Sequence, residues 1–195
     1  MADGAGHLPN MKPRKWKILN SETVYHTPIF DLDRRHSLHP RRGERDFYVL
    51  SATDWINIIP LTRDRRVVMV HQYRHGISDF TLELPGGMVD LTDESPMHAA
   101  RREMIEETGY DSAAITALGK VHPNPAIESN VCHSFLAIGA TLGRKPKELG
   151  AEETHVELVP LANIKRMIAS GEIMHALTIA AFSFFHVYNP PPRRR

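Results

Sequence analysis

Three glutamates crowd one short run of this chain, Arg102-Glu103-Met104-Ile105-Glu106-Glu107. If the run is helical, their i, i+3, i+4 spacing puts Glu103, Glu106 and Glu107 within an arc of about 100°. Like charges at that spacing repel and weaken an isolated helix by roughly a few tenths of a kcal/mol per pair, so a face built only for stability would mix the signs. Arg101 and Arg102 offer one form of compensation, a solvated face of Glu-Arg pairs. A bound cation offers another. Ala99 and Ala100 border the acidic arc with minimal side chains, so the backbone of a neighbouring loop can come close. Leu84-Pro85-Gly86-Gly87-Met88 is the candidate loop, because glycine permits conformations that expose carbonyl oxygens. Carboxylates plus a carbonyl make an oxygen site for a hard divalent ion, Mg2+ with Mn2+ as a substitute, and Mg2+ is commonly shared with phosphate oxygens.

The acidic run needs a helix, and the flanking residues supply its ends. Ser95 can cap free backbone N–H groups, Pro96 suits the first helical position, and Gly109 is a natural stop. The expected helix covers 96 to 108. Ahead of it, Trp55-Leu61 and Val67-Tyr73 read as strands of a hairpin joined by residues 62 to 66. Phe80-Leu84 reads as a further strand stopped by Pro85-Gly86-Gly87. Behind it, Ile115-Val121, Val131-Ala140 and Glu157-Pro160 read as strands, and Leu161-Ser170 and Met174-Tyr188 as helices. Nearer the N-terminus, Trp16-Ile18, Thr23-Ile29 and Asp46-Leu50 suggest a small antiparallel sheet. There the polar segment Arg34 to Arg45 is expected to separate strands. The order implies an α+β fold. Residues 1–13 and 190–195 are expected to be disordered tails, 14–52 an N-terminal β subdomain, and 53–189 the main domain.

Composition narrows the function classes. The 195 residues are 42% hydrophobic and 24% charged, ordinary values for a globular chain. Lys and Arg number 24 against 23 Asp and Glu, so no global positive field favours nucleic acid or an anionic membrane, and any anion must be bound locally. One cysteine, Cys132, cannot form an intramolecular disulfide, and the N-terminus lacks the apolar core of a signal peptide. No apolar run reaches the roughly 18 to 20 residues of a membrane span. A cytoplasmic location is expected, with no membrane partner. His122, His133 and His155 do not form a spaced metal cluster.

Residues Gly87 to Glu94, then seven residues, then Arg102-Glu103-Met104-Ile105-Glu106-Glu107-Thr108-Gly109-Tyr110 resemble the Nudix box, GX5EX7REUXEEXGU, where U is bulky and apolar. Every fixed position from Glu94 to Tyr110 is met. Six residues rather than five separate Gly87 from Glu94, while Asp93 sits at the strict spacing. Glu94 keeps the seven residues to Arg102, and the resemblance implies that Glu94 and Arg102 pair as a structural brace. It also implies an α/β/α sandwich around a mixed sheet. The implied metal ligands are Glu103, Glu107 and the Gly86 carbonyl, with Glu106 as a further ligand. The implied reaction is attack of water on a phosphorus of a nucleoside diphosphate joined to another group.

Outside the box, Asp54-Trp55-Ile56-Asn57, Gln72-Tyr73-Arg74 and Leu82-Glu83-Leu84-Pro85-Gly86-Gly87 look like the ADP-ribose and nucleoside diphosphate sugar pyrophosphatase branch. Pro125, fifteen residues past Tyr110, matches a marker of that branch. On this resemblance Arg74 points its guanidinium at a phosphate and Glu83 takes a ribose or sugar hydroxyl, or simply faces water. A late acid, Glu152 or Glu153, serves as general base or further metal ligand, with Glu153 preferred. The N-terminal sheet exchanges between subunits of a homodimer. Trp55 and Phe30 could stack on a base or pack in a core or interface. The products would be a nucleoside monophosphate and a sugar phosphate. Two other readings stay open: hydrolysis of RNA 5′ ends or nucleoside triphosphates by the same fold, and a non-catalytic module that senses a nucleotide.

Overall fold

A computed structural model describes residues 12–143 and 154–188. The chain divides into two compact units between Ser51 and Ala52.

The first unit is a three-stranded antiparallel sheet of β1 (Lys17–His26), β2 (Asp31–His39) and β3 (Gly43–Ser51) in that order. The expectation that residues 34 to 45 merely separate strands is overturned: Arg34 to His39 belong to β2, paired on both sides as far as Leu38, and Gly43 to Arg45 already belong to β3. The strand at Thr23 also ends earlier than expected, at His26. There Thr27 folds the chain by accepting the Phe30 N–H on Oγ1 at 2.9 Å and donating to the Phe30 carbonyl at 2.6 Å. Polar cross-strand pairs do the work that apolar alternation does elsewhere. Arg34 meets Glu22 at 2.5 Å, and Asp33 accepts from Thr23 at 2.9 Å and from Ser51 at 2.6 Å.

The second unit runs through β4 (Trp55–Leu61), β5 (Arg66–Arg74), β6 (Asp79–Glu83), β7 (Gly86–Met88), α1 (Pro96–Thr108), β8 (Tyr110–Asp111), β9 (Ala114–Val121), β10 (Cys132–Ile138), β11 (Thr141–Leu142), β12 (Thr154–Pro160), α2 (Ile164–Ser170) and α3 (Ala176–Val187). Its seven-stranded sheet has the path β12-β5-β4-β10-β9, with β6 added on β5 and β7 on β4. The β4–β10 pair is parallel and the others antiparallel, so the sheet is mixed.

Strand alternation sends successive side chains to opposite faces, and each face has its own cover. Ile56 and Ile58 of β4, with Phe135 and Ala137 of β10, pack against Ala99, Ala100 and Met104 of α1. Ile59 and Leu136 point the other way, into a core with Val67, Met69, Ile164 and Met167 of α2, and Ala181 and Phe182 of α3. This is an α/β/α sandwich. Ala99 and Ala100 are fully buried, and their small side chains let α1 lie close on β4.

Local chemistry fixes α1 as its flanks predict. Ser95 has extended backbone and its Oγ accepts the His98 N–H at 3.2 Å. Pro96 opens the helix, and Gly109 ends it at φ 73° with its N–H on the Ile105 carbonyl. The tight turn between β4 and β5 places Arg65 at φ 61°, with Thr62 accepting the Arg66 N–H.

Candidate active site

The acidic face of α1 lies over β7, and two adjacent glycines make that fit possible. A Cβ on Gly86 would come within 2.4 Å of the Ile56 carbonyl oxygen of β4. A Cβ on Gly87 would come within 2.5 Å of Glu103 Oε1. Gly86 therefore lets β7 pair with β4, and Gly87 leaves the space that the Glu103 carboxylate fills. Glu107, 3% exposed, accepts the Gly86 N–H on Oε2 at 3.0 Å. Gly87→Ala is expected to displace the Glu103 carboxylate without unfolding the chain, and a shift of that scale lowers turnover by about ten- to a hundredfold. Comparing kcat/KM with Tm for this variant checks it.

Arg102 organises the rest of the face. Its Nη1 donates to Glu103 Oε1 at 2.7 Å and to Glu106 Oε2 at 3.3 Å, so one guanidinium edge spans two of the three carboxylates. Its other edge donates to Asp93, from Nε to Oδ1 at 3.2 Å and from Nη2 to Oδ2 at 2.9 Å, and Nη2 also reaches the Met88 carbonyl. The brace expected between Glu94 and Arg102 is corrected here. Asp93 is the carboxylate that Arg102 grips, with its side chain 1% exposed, while Glu94 is exposed. Asp93 also accepts the Asp90 N–H at 2.9 Å and pairs with His98 at 2.8 Å. The extra residue before Glu94 moves the partner role one place back, to the acid at the strict spacing from Gly87.

The charges behave as this packing requires. Burial pushes the Glu103 carboxyl above its ordinary value, Arg102 opposes that, and Glu106 adds to it. The Arg102 hydrogen bonds hold Asp93 well below the carboxylate range. Arg102 in turn is held more firmly protonated, chiefly by Asp93. Glu103, Glu106 and Glu107 are thus three half-buried or buried carboxylates sharing one face, with an all-oxygen donor set that suits a hard divalent cation. Among the described residues no three His, Cys, Asp or Glu side chains converge into a ready cage. Arg102 and the Gly86 N–H hold the carboxylates instead.

Arg74 and Glu83, read separately as substrate ligands, are brought together. Arg74 Nε and Nη2 donate to Glu83 Oε1 and Oε2 at 2.8 and 2.6 Å in a bidentate pair. Glu83 is 1% exposed and also accepts from Thr81. Burial raises its pKa, but Arg74, His175 and Thr81 together outweigh that and hold it below the usual value. Gly86 is three residues along the chain from Glu83, a reach of about 10 Å at most, so the ion pair lies next to the glycine turn. Trp55 is a half-buried residue at the start of β4, Phe30 closes the Thr27 turn of the first unit, and Pro125 is exposed in the loop between β9 and β10. Glu152 and Glu153 lie outside the described residues. The histidines take ordinary partners: His133 meets Asp54 at 3.0 Å and His122 meets the Asn130 carbonyl at 3.3 Å.

Two participants had no place in the sequence reading. His175 sits 3.1 Å from Glu83 Oε2, and Thr178 holds the Leu84 N–H at 3.1 Å. A histidine before a helix carries no signal by itself. Asn57 did carry one, as a polar residue inside the apolar run Trp55-Ile56-Asn57-Ile58-Ile59, and its Nδ2 donates to the Leu177 carbonyl at 2.9 Å.

A sandwich with a glutamate helix laid on a double-glycine strand defines a hydrolase class, and comparison with known proteins agrees. The profile of the NUDIX domain matches residues 54–178, and the chain belongs to that family. It is a Nudix pyrophosphatase, similar to the ADP-ribose and sugar-nucleotide branch. The chain is 27% identical over 183 residues to an ADP-ribose pyrophosphatase of Mycobacterium tuberculosis, covering 90% of this chain and 86% of that protein. It is 27% identical over 166 residues to a GDP-mannose pyrophosphatase of Salmonella arizonae, covering 81% and 85%. A crystal structure of an ADP compounds hydrolase shares the fold, with a TM-score of 0.79 at 22% identity over 91% of this chain and 95% of that one. No helix among the described residues is long and apolar enough to cross a membrane.

Proposed function

We propose that this protein hydrolyses the pyrophosphate bond of a nucleoside diphosphate sugar such as ADP-ribose or GDP-mannose, with Mg2+ as cofactor and Mn2+ as a substitute. The products are a nucleoside monophosphate and a sugar phosphate. The observation that carries the reading is the set of three carboxylates, Glu103, Glu106 and Glu107, fixed on one face of α1 against Gly86 and Gly87. So much negative charge in one small volume calls for a positive partner of the kind that phosphate also needs. The relatives named for ADP-ribose and GDP-mannose support this substrate class.

Glu103, Glu106, Glu107 and the Gly86 carbonyl would hold the metal, which supplies an activated water and neutralises charge developing on the phosphates. Arg74, whose planar guanidinium is aimed by Glu83, binds a phosphate. A water oxygen bonds to one phosphorus, and the bridging oxygen leaves with the other half of the pyrophosphate. Glu153 or Glu152, outside the described residues, takes the proton of that water. Trp55 is proposed to line the nucleoside and Pro125 to border the site. The first unit is proposed to join two copies as a homodimer.

The test is a substrate panel with Mg2+. ADP-ribose or GDP-mannose should be turned over faster than dGTP, and fastest turnover of dGTP sinks the substrate class. Phosphorus-31 spectra of products formed in oxygen-18 water identify the phosphorus attacked.

A further inference from the structure

Helix α3 starts beside the buried carboxylate of Glu83. His175, immediately before the helix, has Nδ1 3.1 Å from Glu83 Oε2 and 3.1 Å from Thr178 Oγ1. Thr178 is 1% exposed, and its hydroxyl oxygen accepts the Leu84 N–H at 3.1 Å. From the neighbouring strand Asn57 donates to the Leu177 carbonyl of the same helix turn. Leu84 links Glu83, which grips Arg74, to Pro85 and Gly86, whose N–H rests on Glu107. The first turn of α3 therefore touches a five-residue segment, 83 to 87, whose one end serves the Arg74 pair and whose other end serves the carboxylate helix.

Proton accounting sets the roles. Glu83 already takes two guanidinium bonds, so its Oε2 presents no proton to the imidazole nitrogen it faces. Nδ1 therefore carries the proton, so that no nitrogen lone pair faces the carboxylate; its hydrogen bond goes to the Thr178 oxygen, and it meets Glu83 as a 3.1 Å polar contact. Burial lowers the basicity of His175 and the Arg74 cation adds to that, against the opposing pull of Glu83, so its contribution at Glu83 is the Nδ1–H held 3.1 Å away.

We propose that His175 and Thr178 are positioning residues. They lock Glu83 so that it presents Arg74 to a substrate phosphate, and Thr178 fixes Leu84 and with it the turn into Gly86 and Gly87. The proposal rests on Arg74 as a phosphate ligand, the reading given above. Neither residue touches substrate, and both act through groups that do.

Direct binding without turnover reads this out. The dissociation constants of ADP-ribose and, in parallel, GDP-mannose are measured by calorimetry in EDTA, for the wild type, Arg74→Ala, His175→Ala, His175→Gln and the Arg74→Ala/His175→Ala double variant. A bond to a charged partner corresponds to about tenfold in affinity, so Arg74→Ala and His175→Ala should each weaken binding by about that factor. The double variant should be no weaker than Arg74→Ala alone, because a residue that acts only through Arg74 has nothing left to position. His175→Gln, which keeps a donor, should bind within about twofold of the wild type. If His175→Ala does not fold, His175→Leu keeps the buried volume and reads the same quantity. Wild-type binding by the histidine variant, or losses that multiply in the double variant, overturns the latch while leaving the Arg74 reading intact. Unchanged binding by Arg74→Ala, or no binding of either nucleotide by the wild type, overturns both.

Discussion

Glu107→Gln should reduce Mg2+-dependent turnover by at least about a hundredfold while leaving Tm unchanged or slightly raised. Glutamine keeps the shape of the side chain and an oxygen that can accept the Gly86 N–H, so the contact between α1 and β7 survives. What disappears is one of three negative charges packed on a single helix face, of which Glu107 is the most buried at 3% exposure. Removing a buried charge from among like charges favours the metal-free fold, whereas a site that relies on that charge to hold a divalent ion loses affinity. The two consequences have opposite signs, which separates a metal role from a structural one. A thermal shift on adding Mg2+ should be present in the wild type and lost in the variant. Turnover close to wild type, or an undiminished Mg2+ shift, would refute the assignment of Glu107.

What made this helix legible is that its determinants are local. Ser95, Pro96 and Gly109 mark its ends through their own backbone preferences, and the i, i+3, i+4 spacing of the glutamates needs only the helical period. The strands β4 and β5 were equally visible, since both are buried along most of their length and read as continuous apolar runs. In β2 that signal is missing. The three-stranded sheet exposes every residue of β1 and the first six of β3, so its strands carry no apolar alternation, and Arg34 and Asp33 pair across the ladder instead. The site divides along the same line. The helix and the double glycine are sequence neighbours with recognisable spacing, but the Arg74–Glu83 pair and its contact with His175 join three separate parts of the chain. No local pattern says that two residues each suited to a ligand will first bind each other.

Asp93 gives the sharpest test of that boundary, because spacing to Arg102 favoured its neighbour. Asp93→Ala should destabilise the protein by about 3 kcal/mol, near the low end for breaking a buried pair, since Arg102 keeps some exposure. It removes a carboxylate 1% exposed that accepts from Arg102, the Asp90 N–H and His98. Glu94→Ala should change stability by less than about 0.5 kcal/mol, as an exposed side chain does. Urea denaturation of the two variants measures the contrast. Because Arg102 lowers the folded-state pKa of Asp93, the stabilisation is fully present above the unfolded value of about 4 and is lost progressively as pH falls from there through the lower folded value. The gap between wild type and Asp93→Ala should therefore be constant from neutral pH down to about 5 and close in stronger acid. Activity should follow as well. Without Asp93, Arg102 keeps Asp90 and the Met88 carbonyl on one edge and Glu103 and Glu106 on the other, and a stronger hold on the last two carboxylates should raise the Mg2+ concentration needed for half-maximal turnover. Equal stability of the two variants, or an Mg2+ requirement in Asp93→Ala no higher than in the wild type, would show that Arg102 is not balanced between a brace and the metal face.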